Sequence, residues 1–471
     1  MIKVLFVTSE ATPFFSTGGL GDVSGSLPAA LSAAGADVRI VMPMYRPVKE
    51  KYYDETSSVY EGRVDLSWRN QYLGIRKTEY KGVTYYFIDN EYYFKRETAY
   101  GNYDEGERFA FFGKSVCELI ARGIFEPDIL HANDWQSALS VIYLKRQYSS
   151  LSGIRCVFTI HNIEYQGKYD PVISGDVFGF SDADRDAVIW CNDLNLLKGA
   201  VCHCDVLTTV SPSYADEIKN GRNAFGLEYL IAGKGIVGIL NGIDKDEYDP
   251  STDKSIPFRY SATRIFPKEK NKKALCELFG LSYEEKKPLI GIVSRLVPQK
   301  GIDLLTAVIE QTVKEGTASL ATLGKGYPEY EQFFRYLSEK YPGAVGYVDR
   351  FDRTLSHIVF AGSDMFLMPS LFEPCGISQL IAQRYGSVPI VRETGGLKDT
   401  VKPYNEYTGE GDGFSFANYN TSEMKNTIEY AASFFGKKEV WAEIVKNAMK
   451  VDNGWERSAA EYYRLYSGLI G

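Results

Sequence analysis

The stretch that decides the fold is LIGIVSRLVPQKGIDLL, residues 289–305. Its first five residues form a short apolar run that is typical of a buried strand. A polar turn follows at residues 294–301, and a helical pattern begins after it. A strand, a loop and a helix in this order form the repeating unit of a parallel sheet that is covered by helices on both faces.

The same unit recurs in two series along the chain. Strands are predicted at residues 4–8, 38–42, 129–132, 156–160 and 206–210, and again at 289–293, 318–323, 365–368 and 388–391. Between the two series, residues 241–271 are polar, punctuated by proline and without clear periodicity, which is typical of a connection between domains. The predicted fold class is therefore α/β, with two doubly wound domains in tandem and a cleft between them.

These patterns also predict where the domains begin and end. We expect a first domain at residues 1–244, a second at 245–450 and a terminal helix within 451–471. The terminal segment carries aromatic residues at near-helical spacing, so its helix should dock on an apolar surface.

Composition limits the classes of protein that remain. The 471 residues exceed the roughly 250–300 at which a single core stops growing, and 44% of them are apolar. The first residues lack a signal-peptide cleavage site, and no apolar run reaches the roughly 18–20 residues that cross a bilayer. Acidic and basic residues are interspersed, with a net charge of −8, so there is no basic stripe for nucleic acid.

Cysteine usage indicates the compartment. The seven cysteines are odd in number and scattered, which favours thiols in a reducing cytoplasm. Cys202, His203 and Cys204 lack a second ligand pair at zinc spacing, so buried thiols are favoured over a metal. We expect a cytoplasmic protein that binds neither membrane nor nucleic acid, and the sequence leaves an oligomer open.

Candidate site residues follow the predicted strands, because ligands of open α/β sheets bind beyond the carboxyl ends of the strands. Arg295 and Lys300 frame one of these loops, and two cations suit a diphosphate. Two solvated loop cations are the alternative, which would be favoured if this loop stood alone.

Glu373 lies on the turn after the strand MFLMPS. Pro374 follows at a place where a helix can begin, and Gly376 lets a ligand approach the backbone. The natural partner of this carboxylate is a sugar hydroxyl or developing positive charge at an anomeric carbon. The alternative is a charge that complements a helix dipole.

Two strand ends of the first domain carry further candidates. His161 ends the strand RCVFTIHN, where contact with a sugar and a structural role are both open. Asp134 and Trp135 end another strand and would suit a carbohydrate acceptor. A helix cap and a core indole are the equally plausible alternatives.

The string TGGL occurs twice, at residues 17–20 and 394–397, each time with an aspartate two places further on. Glycine loops of this kind can bring bare backbone amides to a ligand. The glycine signatures of dinucleotide and ATP-cradle sites are absent. The acidic string at residues 182–186 sits at a helix start, so a solvated helix end is favoured over a cation site.

The chain resembles the bacterial glycogen synthase and plant starch synthase family from end to end. The resemblance is carried by VTSEATPFFSTGGLGDV, YGNYDEGERFAFF, HANDWQ, TIHNIEYQG, TVSPSYADEI, GILNGID, SRLVPQKGIDLL, MPSLFEPCGISQ, RETGGLKDTV and WERSAAEYYRLY. It implies the GT-B arrangement of two Rossmann-like domains. It also implies retaining transfer of glucose from ADP-glucose to the non-reducing 4-hydroxyl end of an α-1,4-glucan, with a tail helix that packs on the first domain.

The resemblance also implies functions for individual residues. The implied catalytic residues are Glu373, His161, Arg295, Lys300 and Asp134. The implied donor-binding residues are Gly18, Gly19, Asn241, Cys375, Gly376, Thr394, Gly395 and Gly396. The implied acceptor-side residues are Asp22, Tyr100, Asp134 and Trp135. ADP-glucose and the glucan would be substrates, and no metal or pyridoxal phosphate is expected.

The chain departs from the family pattern at Ser16, where many members have a lysine before the first glycine pair. This departure leaves two alternatives open. One is a related glucosyltransferase that uses UDP-glucose or another acceptor, and the other is a catalytically weakened glucan-binding protein. A phosphorylase is a further alternative, and it would need a lysine-bound pyridoxal phosphate.

Overall fold

The structure is a computed structural model that describes residues 1–350 and 352–471. The chain divides into two compact units. The first comprises Met1–Gly242 and Trp455–Gly471, and the second comprises Ile243–Gly454. The polypeptide thus crosses between the units at two places, Gly242–Ile243 and Gly454–Trp455.

The first unit is built on a large, mostly parallel sheet. Its described residues give nine strands in the order β12-β11-β7-β6-β1-β2-β5-β4-β3, and a small sheet in the order β8-β10-β9. The strands are β1 (Lys3–Val7), β2 (Asp37–Pro43), β3 (Ser57–Leu66), β4 (Arg69–Tyr80), β5 (Val83–Asp89), β6 (Ile129–Asn133), β7 (Arg155–Ile160), β8 (Lys168–Tyr169), β9 (Ile189–Trp190), β10 (Asp193–Asn195), β11 (Val206–Thr209) and β12 (Val237–Gly238).

Helices follow most strands of the first unit. They are α1 (Gly19–Ala33), α2 (Arg46–Tyr52), α3 (Glu91–Phe94), α4 (Glu105–Ala121), α5 (Asp134–Arg146), α6 (Ser174–Phe178), α7 (Asp182–Val188), α8 (Leu196–His203), α9 (Pro212–Lys219) and α10 (Glu228–Lys234). The central strands are buried on both faces, as Phe6, Leu130 and Phe158 show. Continuous apolar strands of this kind are expected where helices cover a parallel sheet.

The antiparallel extension β5-β4-β3 is the part of this sheet that the sequence patterns did not predict. β3 pairs with β4 and β4 with β5 in antiparallel register. Most residues of β3 and of the two ends of β4 are exposed or half-buried, and only residues 73–75 in the middle of β4 form a buried run. Half-buried strands at the edge of a sheet have this pattern, and a search for apolar runs followed by helices passes over it.

The second unit contains a parallel sheet with the order β15-β14-β13-β16-β17-β18. The strands are β13 (Leu289–Val293), β14 (Ser319–Leu323), β15 (Val345–Val348), β16 (Met365–Met368), β17 (Val388–Arg392) and β18 (Phe414–Phe416). The helices are α11 (Lys268–Phe279), α12 (Ile302–Thr306), α13 (Ile309–Lys314), α14 (Pro328–Lys340), α15 (Arg353–Gly362), α16 (Ser378–Arg384), α17 (Gly395–Thr400), α18 (Thr421–Phe435) and α19 (Lys438–Lys450).

The strand order of the second unit positions its loops. β13 lies beside β14 on one side and β16 on the other, so loops that are distant in the sequence meet at one edge of the sheet. Strand residues such as Ile290, Phe366 and Ile390 fill the core beneath this edge. The predicted α/β class with two parallel-sheet domains is confirmed.

The last helix, α20 (Glu456–Ile470), belongs to the first unit. Its Tyr462 and Tyr466 are buried. The hydroxyl of Tyr466 lies 2.6 Å from Nδ1 of His131 on the central strand β6. The aromatic residues of the tail therefore face the sheet of the first unit.

Candidate functional site

Lys300 and Glu373 meet at the carboxyl ends of β13 and β16. The Lys300 ammonium donates to Oε2 of Glu373 at 2.6 Å, and the Ser370 hydroxyl donates to the same oxygen at 3.1 Å. Glu373 is 5% exposed. Its second oxygen, Oε1, has no hydrogen-bond partner among the residues that the structure describes. One oxygen of this buried carboxylate is thus hydrogen-bonded, and the other has no partner within the part of the chain that the structure describes.

Arg295 is placed differently from Lys300. It lies on the same loop, but its side chain is exposed and forms no ion pair or hydrogen bond within residues 1–350 and 352–471. Lys300 is committed to Glu373, whereas the guanidinium of Arg295 is available. The two predicted cations are therefore not equivalent.

The loop that carries Lys300 packs tightly on the turn that carries Glu373. The Leu371 amide donates to the Gln299 carbonyl at 2.9 Å. Gly301 has a φ of +70°, and a Cβ at this position would lie 2.0 Å from the Pro369 carbonyl oxygen. Glycine is required here by both the left-handed backbone and the close contact.

Arg392, at the end of β17, holds the Glu373 turn from the other side. Its Nε donates to the Ser370 carbonyl at 2.7 Å, and its Nη2 donates to the Leu371 carbonyl. Sequence reasoning did not select this residue. An arginine at the end of a predicted strand beside the second glycine loop was the signal that could have found it.

The second glycine loop supports the same turn. The Gly396 amide donates to the Glu373 and Pro374 carbonyl oxygens at 3.1 and 3.2 Å. A Cβ on Gly395 would lie 2.0 Å from the Glu373 carbonyl oxygen, and one on Gly396 would lie 2.3 Å from that of Cys375. These glycines permit contact between two loops, and the Gly396 amide is used within the protein instead of being bare. Thr394 is buried at the start of α17.

The helix after Glu373 begins later than the sequence predicted. α16 starts at Ser378, not at Pro374. Gly376 adopts a φ of +76°, which a right-handed helix does not allow, so the helix can begin only after it. Cys375 is buried beneath this turn. Residues 373–377 therefore form an irregular turn instead of a helix N-terminus.

The loop after β14 is also closed by glycines. The Leu296 amide donates to the Lys325 carbonyl at 2.9 Å. Cβ atoms on Gly324 and Gly326 would lie 1.9 and 2.0 Å from the carbonyl oxygens of Ser294 and Leu296. The loops after β13, β14, β16 and β17 thus form a continuous edge around Lys300 and Glu373.

In the first unit, the loop that leads into α1 leaves Gly18 exposed, and Gly19, the first residue of the helix, is exposed as well. Beneath it lies Glu10, which is buried and accepts hydrogen bonds from the Thr17 amide and, at 2.7 Å, from the Thr17 hydroxyl. Asp22 lies in the first turn of α1. Ser16 is exposed and donates to the Gly18 carbonyl at 3.1 Å, so this glycine loop carries no cation at the lysine position of the family.

Glu10 also holds Tyr100. The Tyr100 hydroxyl donates to Oε1 of Glu10 at 2.6 Å and lies 2.8 Å from the Ser9 hydroxyl. Glu10 therefore links the first glycine loop to the predicted acceptor-side tyrosine. Sequence reasoning missed it, although an acidic residue directly after a buried strand was visible.

Asp134 has an unusual backbone conformation. Its φ is +56°, which non-glycine residues rarely adopt and which is concentrated at functional sites. Its carboxylate accepts the His161 amide at 2.7 Å and the Asn162 amide at 3.4 Å. Burial raises the pKa of Asp134 to about 7 and outweighs the two amide hydrogen bonds, which lower it. The cap of α5 was the alternative for Asp134, but the carboxylate turns to β7 instead.

His161 is fixed through both its backbone and its ring. Its amide is held by Asp134, and its Nε2 lies 2.9 Å from Oδ1 of Asn133. Burial lowers the pKa of His161 to about 3, so the imidazole is neutral near pH 7. The structure thus brings Asp134 and His161 together beyond the adjacent strands β6 and β7.

Trp135 packs among aromatic side chains of the first unit. Its ring is 7% exposed and packs edge to face on Phe109 at 5.2 Å, with Tyr169 at 6.3 Å. The indole is therefore part of the core, which was the alternative for this residue. Asn241 lies half-buried in the first unit beyond β12.

His203 and Asp184, in the cysteine and aspartate clusters, have partners within the protein. His203 Nδ1 lies 2.7 Å from the Gly199 carbonyl, and Asp184 pairs with Arg146 at 2.9 Å. Within residues 1–350 and 352–471, no group of three or more histidine, cysteine, aspartate or glutamate side chains could hold a metal ion. Nor does any helix of that part of the chain have the length and apolar composition to cross a membrane.

Comparison with known proteins places this geometry in a family. Residues 3–233 match the starch synthase catalytic domain and residues 278–447 match the glycosyl transferases group 1. The chain is 47% identical to a glycogen synthase of Clostridium botulinum, over 99% of both chains. It is 44% identical to a glycogen synthase of Bacillus cereus, over 100% of both.

A solved structure matches over the whole chain. The catalytic domain of starch synthase IV from Arabidopsis thaliana, bound to ADP and acarbose, has a TM-score of 0.92 at 32% identity and covers 100% of this chain and 99% of its own. The fold and the strand-end loops thus define a glycosyltransferase of the GT-B class. The chain belongs to the glycogen synthase and starch synthase family, whose members are hexosyltransferases, and the resemblance seen in the sequence is confirmed.

Proposed function

We propose that this protein transfers glucose from ADP-glucose to the non-reducing 4-hydroxyl end of an α-1,4-glucan, with retention at the anomeric carbon. The observation that carries the proposal is the Lys300–Glu373 pair, with its contact of 2.6 Å at the carboxyl ends of two adjacent strands. Strand ends are where open α/β sheets bind their ligands.

Lys300 and Arg295 serve the leaving group. The bond between C1 of glucose and the phosphate oxygen breaks, and negative charge builds on the diphosphate. A cation that meets this charge as it develops stabilises the transition state more than the ground state. Lys300 is already positioned by Glu373, whereas the exposed Arg295 is available to bind the phosphates.

Glu373 serves the sugar. One oxygen is held by Lys300 and Ser370, so Oε1 is the atom that faces a glucose hydroxyl or the electron-poor C1. The acceptor 4-hydroxyl forms the new bond to C1 on the face that the phosphate leaves. Its proton passes to the departing phosphate oxygen, so no separate general base is needed.

Residues of the first unit serve the sugars as well. Asp134, His161 and Tyr100 are proposed to contact the donor glucose or the acceptor end, and Gly18 and Gly19 are proposed to bind the donor. Asn241 is proposed to lie near the donor. The buried Glu10 supports this proposal because it connects the glycine loop with Tyr100.

A second candidate rests on Ser16. Its hydroxyl is turned to the Gly18 carbonyl, so the first glycine loop supplies no charge to the phosphates at this position. A donor site with one cation fewer binds the diphosphate less tightly, so more of the donor selectivity depends on contacts with the nucleoside. Transfer from UDP-glucose, or to a different acceptor, is therefore the alternative activity.

The proposal includes no metal ion and no pyridoxal phosphate, since the positive charges of Lys300 and Arg295 are assigned to the leaving phosphate. Transfer should persist in EDTA, and the purified protein should lack the absorbance of pyridoxal phosphate. Loss of transfer in EDTA would contradict this part. We also propose a cytoplasmic location, supported by seven free cysteines.

Incorporation of labelled glucose into glycogen tests the function. We expect faster incorporation from ADP-glucose than from UDP-glucose. Glu373→Ala should lower turnover at least ~100-fold with the melting temperature retained. Glu310→Ala is the matched control, because it removes a Lys–Glu pair of 2.7 Å between helices of the same unit.

The outcomes separate the candidates. Faster incorporation from UDP-glucose would favour the second candidate. Absence of incorporation from both donors would contradict a transferase, and near-normal turnover of Glu373→Ala would remove Glu373 from the site.

A further inference from the structure

Asn133 is a buried side chain that the proposed chemistry does not use. It is the last residue of β6 and is 1% exposed. Its amide nitrogen donates to the Val7 carbonyl at 3.0 Å and contacts the His131 carbonyl at 3.4 Å. Its amide oxygen lies 2.9 Å from Nε2 of His161.

These contacts determine the orientation of the amide. In the reverse orientation, Oδ1 would face two carbonyl oxygens with no hydrogen between them. Unpaired buried oxygens cost about 1–3 kcal/mol each. The nitrogen therefore points to the two carbonyl groups, and the oxygen points to His161.

The orientation of Asn133 in turn determines the tautomer of His161. An amide oxygen only accepts hydrogen bonds, so Nε2 of His161 must carry the hydrogen. A neutral imidazole has a single N–H, and this one is used by Asn133. Nδ1 then carries a lone pair and no hydrogen.

Nδ1 of His161 is not among the fully buried unpaired atoms of residues 1–350 and 352–471. Among residues 1–350 and 352–471 it has no hydrogen-bond partner, and His161 is half-buried, not enclosed. The amide of His161 is fixed separately by Asp134 at 2.7 Å. Hydrogen bonds therefore fix His161 at its ring Nε2 and at its backbone amide, and Nδ1 is the acceptor atom that remains without a partner among the described residues.

We propose that Asn133 is a positioning residue that locks His161 in the Nε2–H tautomer, so that Nδ1 accepts a hydrogen bond from a sugar hydroxyl. The inference rests on the proposed function in that His161 contacts the sugar. It adds that this contact has a fixed direction, with the sugar as donor and the imidazole as acceptor. His161 can then neither donate to a sugar oxygen nor protonate the leaving group.

Nitrogen NMR of the full-length protein tests the tautomer without any substrate. The chain has four histidines, so selective ¹⁵N-histidine labelling gives few signals. His161→Gln assigns the signals of His161. In the wild type, we expect an unprotonated Nδ1 and a protonated Nε2. A protonated Nδ1 would overturn the proposal.

Two variants test the part played by Asn133. Asn133→Ala should give a mixture of His161 tautomers and lower kcat about 10- to 100-fold, as expected when a contacting group loses its orientation. Asn133→Asp places an anion beside Nε2, so His161 should hold protons at both nitrogens at a pH where the wild type does not. Either variant suffices if the other does not fold.

Asn90→Ala is the matched control. Asn90 is also buried in the first unit and donates to a carbonyl, that of Tyr72, at 2.7 Å. We expect it to leave the His161 signals unchanged. If Asn133→Ala keeps a single Nε2–H tautomer and wild-type kcat, Asn133 is not a positioning residue. If no donor supports transfer but the tautomers behave as stated, the proposed function fails and the lock stands.

Discussion

Asp134 combines two unfavourable features at a single residue. A positive φ at a non-glycine residue costs roughly 1–3 kcal/mol, and its carboxyl group is buried. The two amides of residues 161 and 162 compensate for part of this cost. The surrounding structure must hold this unfavourable backbone conformation in place. For Asp134, that structure is formed by the ends of β6 and β7.

The buried carboxyl group of Asp134 should make stability depend on pH. Its pKa is about 7 in the folded protein against 3.8 ordinarily. Between these values the folded state binds more protons than the unfolded state. The stabilisation is therefore complete below pH 3.8 and is lost as the pH rises through 7.

Asp134→Asn removes this dependence, because an amide does not titrate. Urea unfolding at pH 5, 6, 7 and 8 should show the variant gaining stability relative to the wild type as the pH rises, with the difference level above pH 8. The same difference at every pH would show that Asp134 does not titrate in this range.

At the level of residues, the sequence located the main candidates but not their contacts. Lys300 and Glu373 were both predicted from strand ends. Their pairing depends on β13 and β16 being neighbours, although the two residues are 73 positions apart. The sequence did not indicate three further residues, Glu10, Asn133 and Arg392. Each forms hydrogen bonds to segments that are distant in the sequence, and a single sequence does not show such contacts.

At the level of elements, the glycines of the strand-end loops pack loops against one another. Gly301, Gly324, Gly326, Gly395 and Gly396 would each bring a Cβ to about 2 Å from a carbonyl oxygen. The sequence predicted glycine loops that face a ligand, and it could not distinguish a ligand from a neighbouring loop. A close ligand and a close neighbouring loop each leave no space for a Cβ, so the sequence shows glycine in either case.

Gly396→Ala tests this contact. The new methyl group would lie 2.3 Å from the Cys375 carbonyl oxygen, so the Glu373 turn must move. We expect a loss of about 1–3 kcal/mol of stability, the usual cost of overpacking, together with lower turnover. Thermal unfolding and the transfer assay measure the two effects.

Gly468→Ala is the control within a helix. Gly468 lies in α20 with open space where its Cβ would stand. Alanine is favoured over glycine in a helix by up to about 1 kcal/mol, so this variant should be neutral or more stable. If Gly396→Ala behaves like Gly468→Ala, the loops are not in the tight contact described.

At the level of the whole molecule, the chain returns to its first unit. The predicted domain limits were residues 244 and 450, whereas the units change at Gly242 and Gly454. Ile243 is buried in the second unit, and its amide donates to the Asn453 carbonyl at 2.8 Å. The polar segment from residue 241 indicated the connection, but this pairing of the two crossing points was not visible in the sequence.

The attachment of the tail gives a prediction for Tyr466. Its hydroxyl bonds to the buried His131, whose other ring nitrogen lies 2.6 Å from the Thr159 hydroxyl. Tyr466→Phe leaves a buried ring nitrogen unpaired and should cost about 1–3 kcal/mol. Tyr463→Phe on the same helix is the control and should cost less than about 0.5 kcal/mol. Equal melting temperatures for the two variants would contradict the tie between tail and sheet.

The measurement that tests the central claim most directly follows the product of the whole enzyme. A maltooligosaccharide and ADP-glucose are incubated with the protein, and proton NMR records the anomeric signals while released ADP is quantified. We predict new α-1,4 signals at the non-reducing end, with one ADP released for each glucose added. Release of ADP with free glucose only, a β-configured product, or no reaction would contradict the account.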